Sequence, residues 1–226
     1  MTDATAPLPF DTVVTDRLLT TTRAVRKRLD LDRPVDPAVV LDCLRLAVQA
    51  PTGSNAQGWR WLVVTDPGKR RALQALYAKF GRRYLAAGAA MEVDPQTGRV
   101  LDSASYLVDV LDRVPVHVIP CIEGRIDGAA NKLAAGFYGS ILPAVWSFML
   151  ALRSRGLGTV FTTFHLAQEA EAAALLGVPD GFTQVGLLPV AHTTGGDFRP
   201  ASRPPVEEIT YWDTWGDTTA RLADQV

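Results

Sequence analysis

Four stretches of the chain hold side chains able to do chemistry. The first is T-T-T-R-A-V-R-K-R-L-D at 20–30, with Arg23, Arg26, Lys27 and Arg28. On a helix, positions 23, 26 and 27 share a face. Arginine offers an anion's oxygens a fork of donors, so the run could hold a phosphate, or it could simply be a solvated basic face. The second is A-P-T-G-S-N-A-Q-G-W at 50–59, where Thr52, Ser54, Asn55 and Gln57 lie among Gly53 and Gly58. A loop so furnished can surround a heteroaromatic ring with amide and hydroxyl partners, though the same residues also make an ordinary capped turn. The third, G-L-G-T-V-F-T-T-F at 156–164, lacks the third glycine of a dinucleotide fingerprint and follows a helix rather than a strand. Its Thr162 and Thr163 either donate hydroxyls to a ligand or are plain strand formers. The fourth is F-R-P-A-S-R-P-P at 198–205, whose Arg199 and Arg203 sit beside prolines on a stiff backbone suited to a fixed anion contact.

No G-x-S-x-G, H-E-x-x-H or G-x-x-x-x-G-K occurs, so hydrolytic and P-loop chemistry have no recognisable start. His117, His165 and His192 are dispersed, as are Cys43 and Cys121, and none has metal-ligand spacing. An enzyme of this composition would leave the difficult step to a bound cofactor.

The elements that must position these residues follow from periodicity. Phe10–Thr22 has a helical spacing of apolar residues at Val13, Val14, Leu18 and Leu19. Asp36-Pro37 opens a second helix, because Asp accepts from first-turn amides and Pro at the first position loses no hydrogen bond. Trp59–Thr65 reads as a strand, and Asp66-Pro67 launches a helix to about Phe80. The pattern weakens over 81–113, which is expected to be a lid or insertion. Val114–Ile122 reads as a strand that Pro115 and Pro120 confine to an edge or to its own ends. Ala134–Leu152 is apolar nearly all round and should be one central buried helix. Thr159–Phe164 is extended, Ala167–Leu176 is helical and stops at Gly177, and Gln184–Ala191 is a strand. The tail, 195–226, carries Tyr211, Trp212 and Trp215, aromatic surface that a partner subunit could cover. Many helices with few strands describe an α+β or α/β layered fold with a modest sheet.

At 226 residues, 47% hydrophobic and 21% charged, the chain has the composition of one folded domain, 1–226, with 1–8 as a mobile lead-in. A formal charge of −1 argues against a general nucleic-acid binder. The longest apolar run, Ile141–Leu152, falls short of the ~20 residues of a membrane span. No secretory signal is evident, and a cytoplasmic location without membrane attachment is expected.

In order and separation, T-T-R-A-V-R-K-R-L-D, A-P-T-G-S-N-A-Q-G-W, G-S-I-L-P-A-V-W-S-F-M-L-A-L-R-S-R-G-L-G-T and S-R-P-P-V-E-E-I resemble the nitroreductase family of FMN-dependent oxidoreductases over roughly residues 10–215, in its actinobacterial-type branch. The resemblance implies an α+β three-layer fold in which helices surround a small, mostly antiparallel sheet. It also implies a homodimer wrapped by the C-terminal tail, with two FMN sites at the interface. The family's phosphate-binding trio falls on Thr22, Arg23 and Ala24, which leaves Arg23 and Arg203 to carry most of that load. Arg26 takes the basic position beside the flavin N1/O2 edge. Pro51, Thr52, Gly53, Ser54, Asn55 and Gln57 match the loop around the ring and ribityl chain, and Thr162 and Thr163 match the segment near N5. The implied activity is hydride transfer from NADPH or NADH through the flavin to nitroaromatics, quinones or similar small electron-poor acceptors. No protein side chain then serves as a catalytic nucleophile or acid. Reductive dehalogenation, activated-alkene reduction, flavin fragmentation and non-catalytic flavin binding are the alternatives.

Overall fold

The sheet is built around β2 (Val116–Glu123), which pairs on one side with β1 (Trp59–Val64) and on the other with β4 (Phe182–Gln184) and β5 (Leu188–His192). β5 in turn pairs with the short β3 (Leu157–Gly158), and every pairing is antiparallel. The sheet stays open, with β1 and β3 at its two edges. The computed structural model describes residues 10–218; the expected lead-in at 1–8 and the end of the tail, 219–226, lie outside the described residues.

β2 is therefore central; of the two placements its prolines allowed, an edge or the strand's own ends, Pro115 does precede the strand, but Pro120 lies inside it. The reason lies opposite Pro120. Between the pairs Cys121↔Gln184 and Val118↔Leu188, β2 advances three residues while its partner advances four. One extra residue makes a bulge, which leaves a gap in the donor–acceptor ladder where a residue without an N–H does no harm. Pro120 still accepts from the Val185 amide at 2.9 Å.

Side chains alternate across β2. Val116, Val118 and Ile122 join a core with Val40, Cys43 and Ala47 of α2 (Pro37–Ala47) and Ala144, Val145, Phe148 and Leu152 of α6 (Leu142–Arg153). Asp36 caps α2 by accepting from the Ala38 amide at 2.8 Å. His117, Ile119 and Cys121 point to the other face. There α3 (Pro67–Ala89) packs on α4 (Pro95–Val110) and near α7 (Glu169–Leu176), with Leu73, Tyr77, Leu107 and Leu111 fully buried. Helices on both faces of a small antiparallel sheet give the α+β three-layer arrangement that the resemblance implies.

Two further stretches gain detail that the sequence pattern did not give. The stretch 81–113 completes α3 and supplies all of α4, and Gly81, Leu85, Ala104, Leu107 and Val108 are buried. Polar and glycine residues on the outer faces obscure the helical period there. The single central helix is two: α5 (Asn131–Gly139) and α6 meet at Ser140–Ile141. Pro143 lacks the amide that would bond back to Gly139 and its ring crowds that carbonyl, so the helix must break. Together 131–153 is long and apolar enough to cross a membrane by length and composition. Half of α6, however, is buried in the core.

These elements belong to a unit of residues 22–197; residues 10–21 and 198–218 form a second compact unit. The second unit contains α1 (Thr12–Thr21), with Val13, Val14 and Leu19 exposed, and the tail, where Tyr211 lies at a centroid distance of 4.8 Å from a Trp215 that is 88% exposed.

Candidate functional site

The basic run is not helical. Residues 22–25 are irregular, 26–28 turn, and Leu29 bridges Thr193. The Val25 amide donates to the Thr159 carbonyl at 2.9 Å, tying the run to the segment that follows β3. Gly158 permits this approach, since a Cβ there would stand 2.7 Å from Thr193 Cγ2 and 3.0 Å from Val25 Cγ1. Arg23, Arg26 and Lys27 thus share no helical face, and the cations go separate ways. Lys27 pairs with Asp102 at 2.5 Å, and Arg28 pairs with Asp197 while donating to the Thr194 carbonyl. Thr22 and Arg23 are half-buried and Ala24 is exposed.

Arg26 differs from its neighbours. It is half-buried, donates from Nη1 to Ser103 Oγ on α4 at 3.2 Å, and has no carboxylate partner among the described residues. Burial lowers its pKa, and the nearby Tyr77 partly opposes this. A desolvated guanidinium balanced by one neutral hydroxyl favours an anionic partner.

Thr162, which has Tyr77 as a neighbour in common with Arg26, spends both backbone groups on the sheet: its N–H donates to the Leu187 carbonyl at 3.0 Å and its carbonyl accepts from the Leu187 amide at 2.8 Å. What remains is the hydroxyl, 2.9 Å from the phenolic oxygen of Tyr77 on α3. Thr163 is exposed and opens the turn at 164–168, its carbonyl accepting from the Leu166 amide at 2.9 Å.

The loop 51–57 forms a second group. Ser54, Asn55 and Gln57 all take left-handed backbone conformations, with φ of 51°, 54° and 49°. Asn tolerates this region, but three such non-glycine residues within four positions store strain of about 1–3 kcal/mol each. The loop holds itself through Gln57, whose amide donates to Thr52 Oγ1 at 3.2 Å and whose Nε2 donates to Asn55 Oδ1 at 3.1 Å. Its outside anchor is Ser140: the Gly53 amide donates to Ser140 Oγ at 3.0 Å, and that hydroxyl donates to the Gly136 carbonyl at 2.7 Å. The break before Pro143 that splits α5 from α6 places Ser140 there. Pro51 and residues 53–57 are exposed.

Arg26 and Thr162 thus both neighbour Tyr77, with Thr162 bridged to Leu187 on the β3 side of the sheet and 51–57 leading into β1 at the opposite edge. Three strand spacings of ~4.8 Å, or ~14 Å, separate those edges. Arg203 belongs to the other unit, where its exposed guanidinium donates to the Ser202 carbonyl at 2.9 Å. Sequence reading missed Tyr77, Ser103 and Ser140. Tyr77 looks like one more apolar-face residue in the series Leu73, Tyr77, Gly81, Leu85, and its partner lies 85 residues away. The proline-induced break was the one local signal for Ser140.

Residues 19–192 match the model of the nitroreductase family. An NADH dehydrogenase of Thermus thermophilus is 26% identical over 192 residues, covering 79% of this chain and 87% of the relative. Iodotyrosine deiodinase 1 of Rattus norvegicus is 27% identical over 176 residues, 72% of this chain and 57% of its own length. The crystal structure of the FMN- and NADPH-dependent nitroreductase NfnB from sphigopyxis sp. strain HMH superposes with a TM-score of 0.63 at 21% identity, covering 88% of this chain and 99% of that one. The match spans both the Arg26–Thr162 group and the 51–57 loop, and the chain belongs to the nitroreductase family.

Proposed function

We propose that the protein is an FMN-dependent oxidoreductase that draws hydride from NADH or NADPH and reduces nitroaromatics, quinones or similar electron-poor acceptors. The observation that carries this reading is Arg26, a half-buried cation without a carboxylate among the described residues, near the Tyr77 that meets Thr162, inside the family-matched span. The NADH dehydrogenase and the FMN- and NADPH-dependent nitroreductase among its relatives support it. Likeness to iodotyrosine deiodinase 1 keeps reductive dehalogenation as the second reading.

The residues present fit FMN. Arg26 would meet the N1/O2 edge, where a cation stabilises the charge of the reduced ring. Thr162 and Thr163 would face N5. Thr52, Gly53, Ser54, Asn55 and Gln57, with Pro51 setting the entry of the loop, would take the pyrimidine edge and ribityl chain. Thr22, Arg23 and the Ala24 backbone would hold the phosphate. When bound, FMN supplies hydride acceptance and delivery in two separate half-reactions. The chain's part is to bind, orient and bias the charge of the ring.

The site belongs to a homodimer in this reading. Two ligand-facing groups on opposite sheet edges suit one site built from two copies. Leu133, Tyr138, Leu142 and Trp146 on α5 and α6 are exposed, as are Val206, Ile209, Tyr211, Trp212 and Trp215 of the tail. Covering such surface is what a partner subunit would do, and the tail over 195–218 would pack on it. We read 1–226 as one functional domain acting in the cytoplasm.

The test is a spectrum of the purified protein. A yellow protein that bleaches anaerobically with NADH or NADPH and recovers with a nitroaromatic or quinone supports the assignment. Colourless protein that takes up no added FMN overturns it. A panel with iodinated phenols separates the two acceptor classes.

A further inference from the structure

Tyr77 stands in an unusual place for a core residue. It is 1% exposed, yet its phenolic oxygen lies 2.9 Å from the hydroxyl of Thr162. Gly81, one turn further along α3, is what lets the helix come so close: a Cβ there would lie 2.8 Å from the Phe164 ring and 3.1 Å from Val108. Phe164 in turn holds the Tyr77 ring at a centroid distance of 5.1 Å. The phenol therefore has little freedom, and burial raises its pKa, keeping it protonated at neutral pH.

The direction of the hydrogen bond follows from counting donors. Among the described residues, Thr162 Oγ1 is the phenol's hydrogen-bond partner. A buried O–H left without an acceptor costs about 1–3 kcal/mol, so the phenol donates to Thr162. Thr162 Oγ1 then accepts from Tyr77, and its own proton must be directed elsewhere. Its backbone groups are committed to Leu187, so the hydroxyl proton is the only donor this residue has for a ligand.

We propose that Tyr77 is a positioning residue that, by filling the acceptor side of Thr162 Oγ1, makes the Thr162 hydroxyl an obligate outward donor toward the N5 position of bound FMN. The assignment rests on the flavin reading above. It has a direct consequence for the two redox states. Oxidised flavin presents a lone pair at N5, whereas reduced flavin presents an N–H, so the relay favours oxidised over reduced ring.

The experiment compares Tyr77→Phe, Thr162→Val, Thr162→Ser and the double variant Tyr77→Phe/Thr162→Val. It measures affinity for oxidised and for reduced FMN, and the 15N resonance of N5 in labelled FMN. Thr162→Val should weaken oxidised FMN by about fivefold, the worth of one hydrogen bond, and Tyr77→Phe, which leaves the hydroxyl but frees its rotation, should weaken it in the same direction by no more than that. Both should leave reduced FMN within about twofold and move the N5 resonance the same way. The double variant should match Thr162→Val alone, since a relay has no second path. Thr162→Ser should behave as wild type. Effects on both redox states alike, additive effects in the double variant, or an unmoved N5 resonance would overturn the relay while the flavin reading stands. Wild-type protein that takes up no FMN overturns both. Should Tyr77→Phe not fold, Thr162→Val that binds oxidised FMN as wild type does still overturns the relay.

Discussion

Replacing His165 by leucine should remove much of the protein's sensitivity to mild acid. His165 and His117 are both fully buried, and burial pushes each pKa down to about 4 from 6.5. His117 Nε2 lies 2.8 Å from the Leu111 carbonyl, and Arg70 and His165 add repulsion to any charge placed on it. Neither ring nitrogen of His165 has a hydrogen-bond partner among the described residues. Because the folded pKa lies below the unfolded one, the unfolded chain binds protons first as pH falls. Stability is full above about pH 6.5 and is lost as pH drops toward 4. Each pH unit in that window costs about 1.4 kcal/mol per histidine, so going from about pH 6.5 to about pH 5.0 costs about 2 kcal/mol each. For the pair that is ~4 kcal/mol, a large part of the roughly 5–15 kcal/mol typical of a folded domain. Asp94, hydrogen-bonded to Thr97, and Asp127, bonded to Arg125, have lowered pKa values, so their contributions are lost only at still lower pH. His165→Leu is close in volume and removes a ring without hydrogen bonds, so near neutral pH it should change stability by less than about 1 kcal/mol. Urea unfolding of both proteins at about pH 7.5, 6.5, 5.5 and 5.0 measures the difference. The variant should lose about 2 kcal/mol less than wild type over that range, or hold a melting temperature about 4–8 °C higher at the acid end. Equal losses in the two proteins would refute the reasoning.

Further predictions concern the two halves of the site. Arg26→Ala should weaken FMN retention at least about fivefold, whereas Arg28→Ala, whose guanidinium is committed to Asp197 and the Thr194 carbonyl, should leave it within about twofold; fluorescence titration reads both. Ser140→Ala strips the Gly53 amide of its acceptor and should weaken FMN by about fivefold and speed hydrogen exchange at Gly53; unchanged exchange would mean that the anchor is not what holds the loop. Gly158→Ala drives a Cβ into Thr193 and Val25, and calorimetry should show a loss of about 1–3 kcal/mol.

Much of the fold was legible because its signals are local. Asp36-Pro37 and Asp66-Pro67 start helices through capping and a missing amide, and Gly177 ends α7 in the left-handed region at φ 73°. The β-branched and aromatic residues of Trp59–Val64 made a strand as expected. The candidate site residues were likewise legible as types in order along the chain. Pairing was not. Pro120 looked like a mark of an edge or of a strand's end, and only the bulge in the partner strand, more than sixty residues later, makes it acceptable at the centre. The helices at 67–110 were hidden in part because outward polar residues carry no information about what the inward face meets.

Composition, caps and turn residues therefore decided which segments are helices and strands and which residues could serve a ligand. Those effects act within a few residues and depend little on the rest of the chain. Tertiary structure alone decided that Arg26 keeps company with Ser103 rather than a carboxylate, that Tyr77 meets Thr162, and that Ser140 holds Gly53. Each of these pairs lies more than seventy-five residues apart in sequence, and closing so long a loop is driven by burial of the whole core, to which no single local pattern is sensitive.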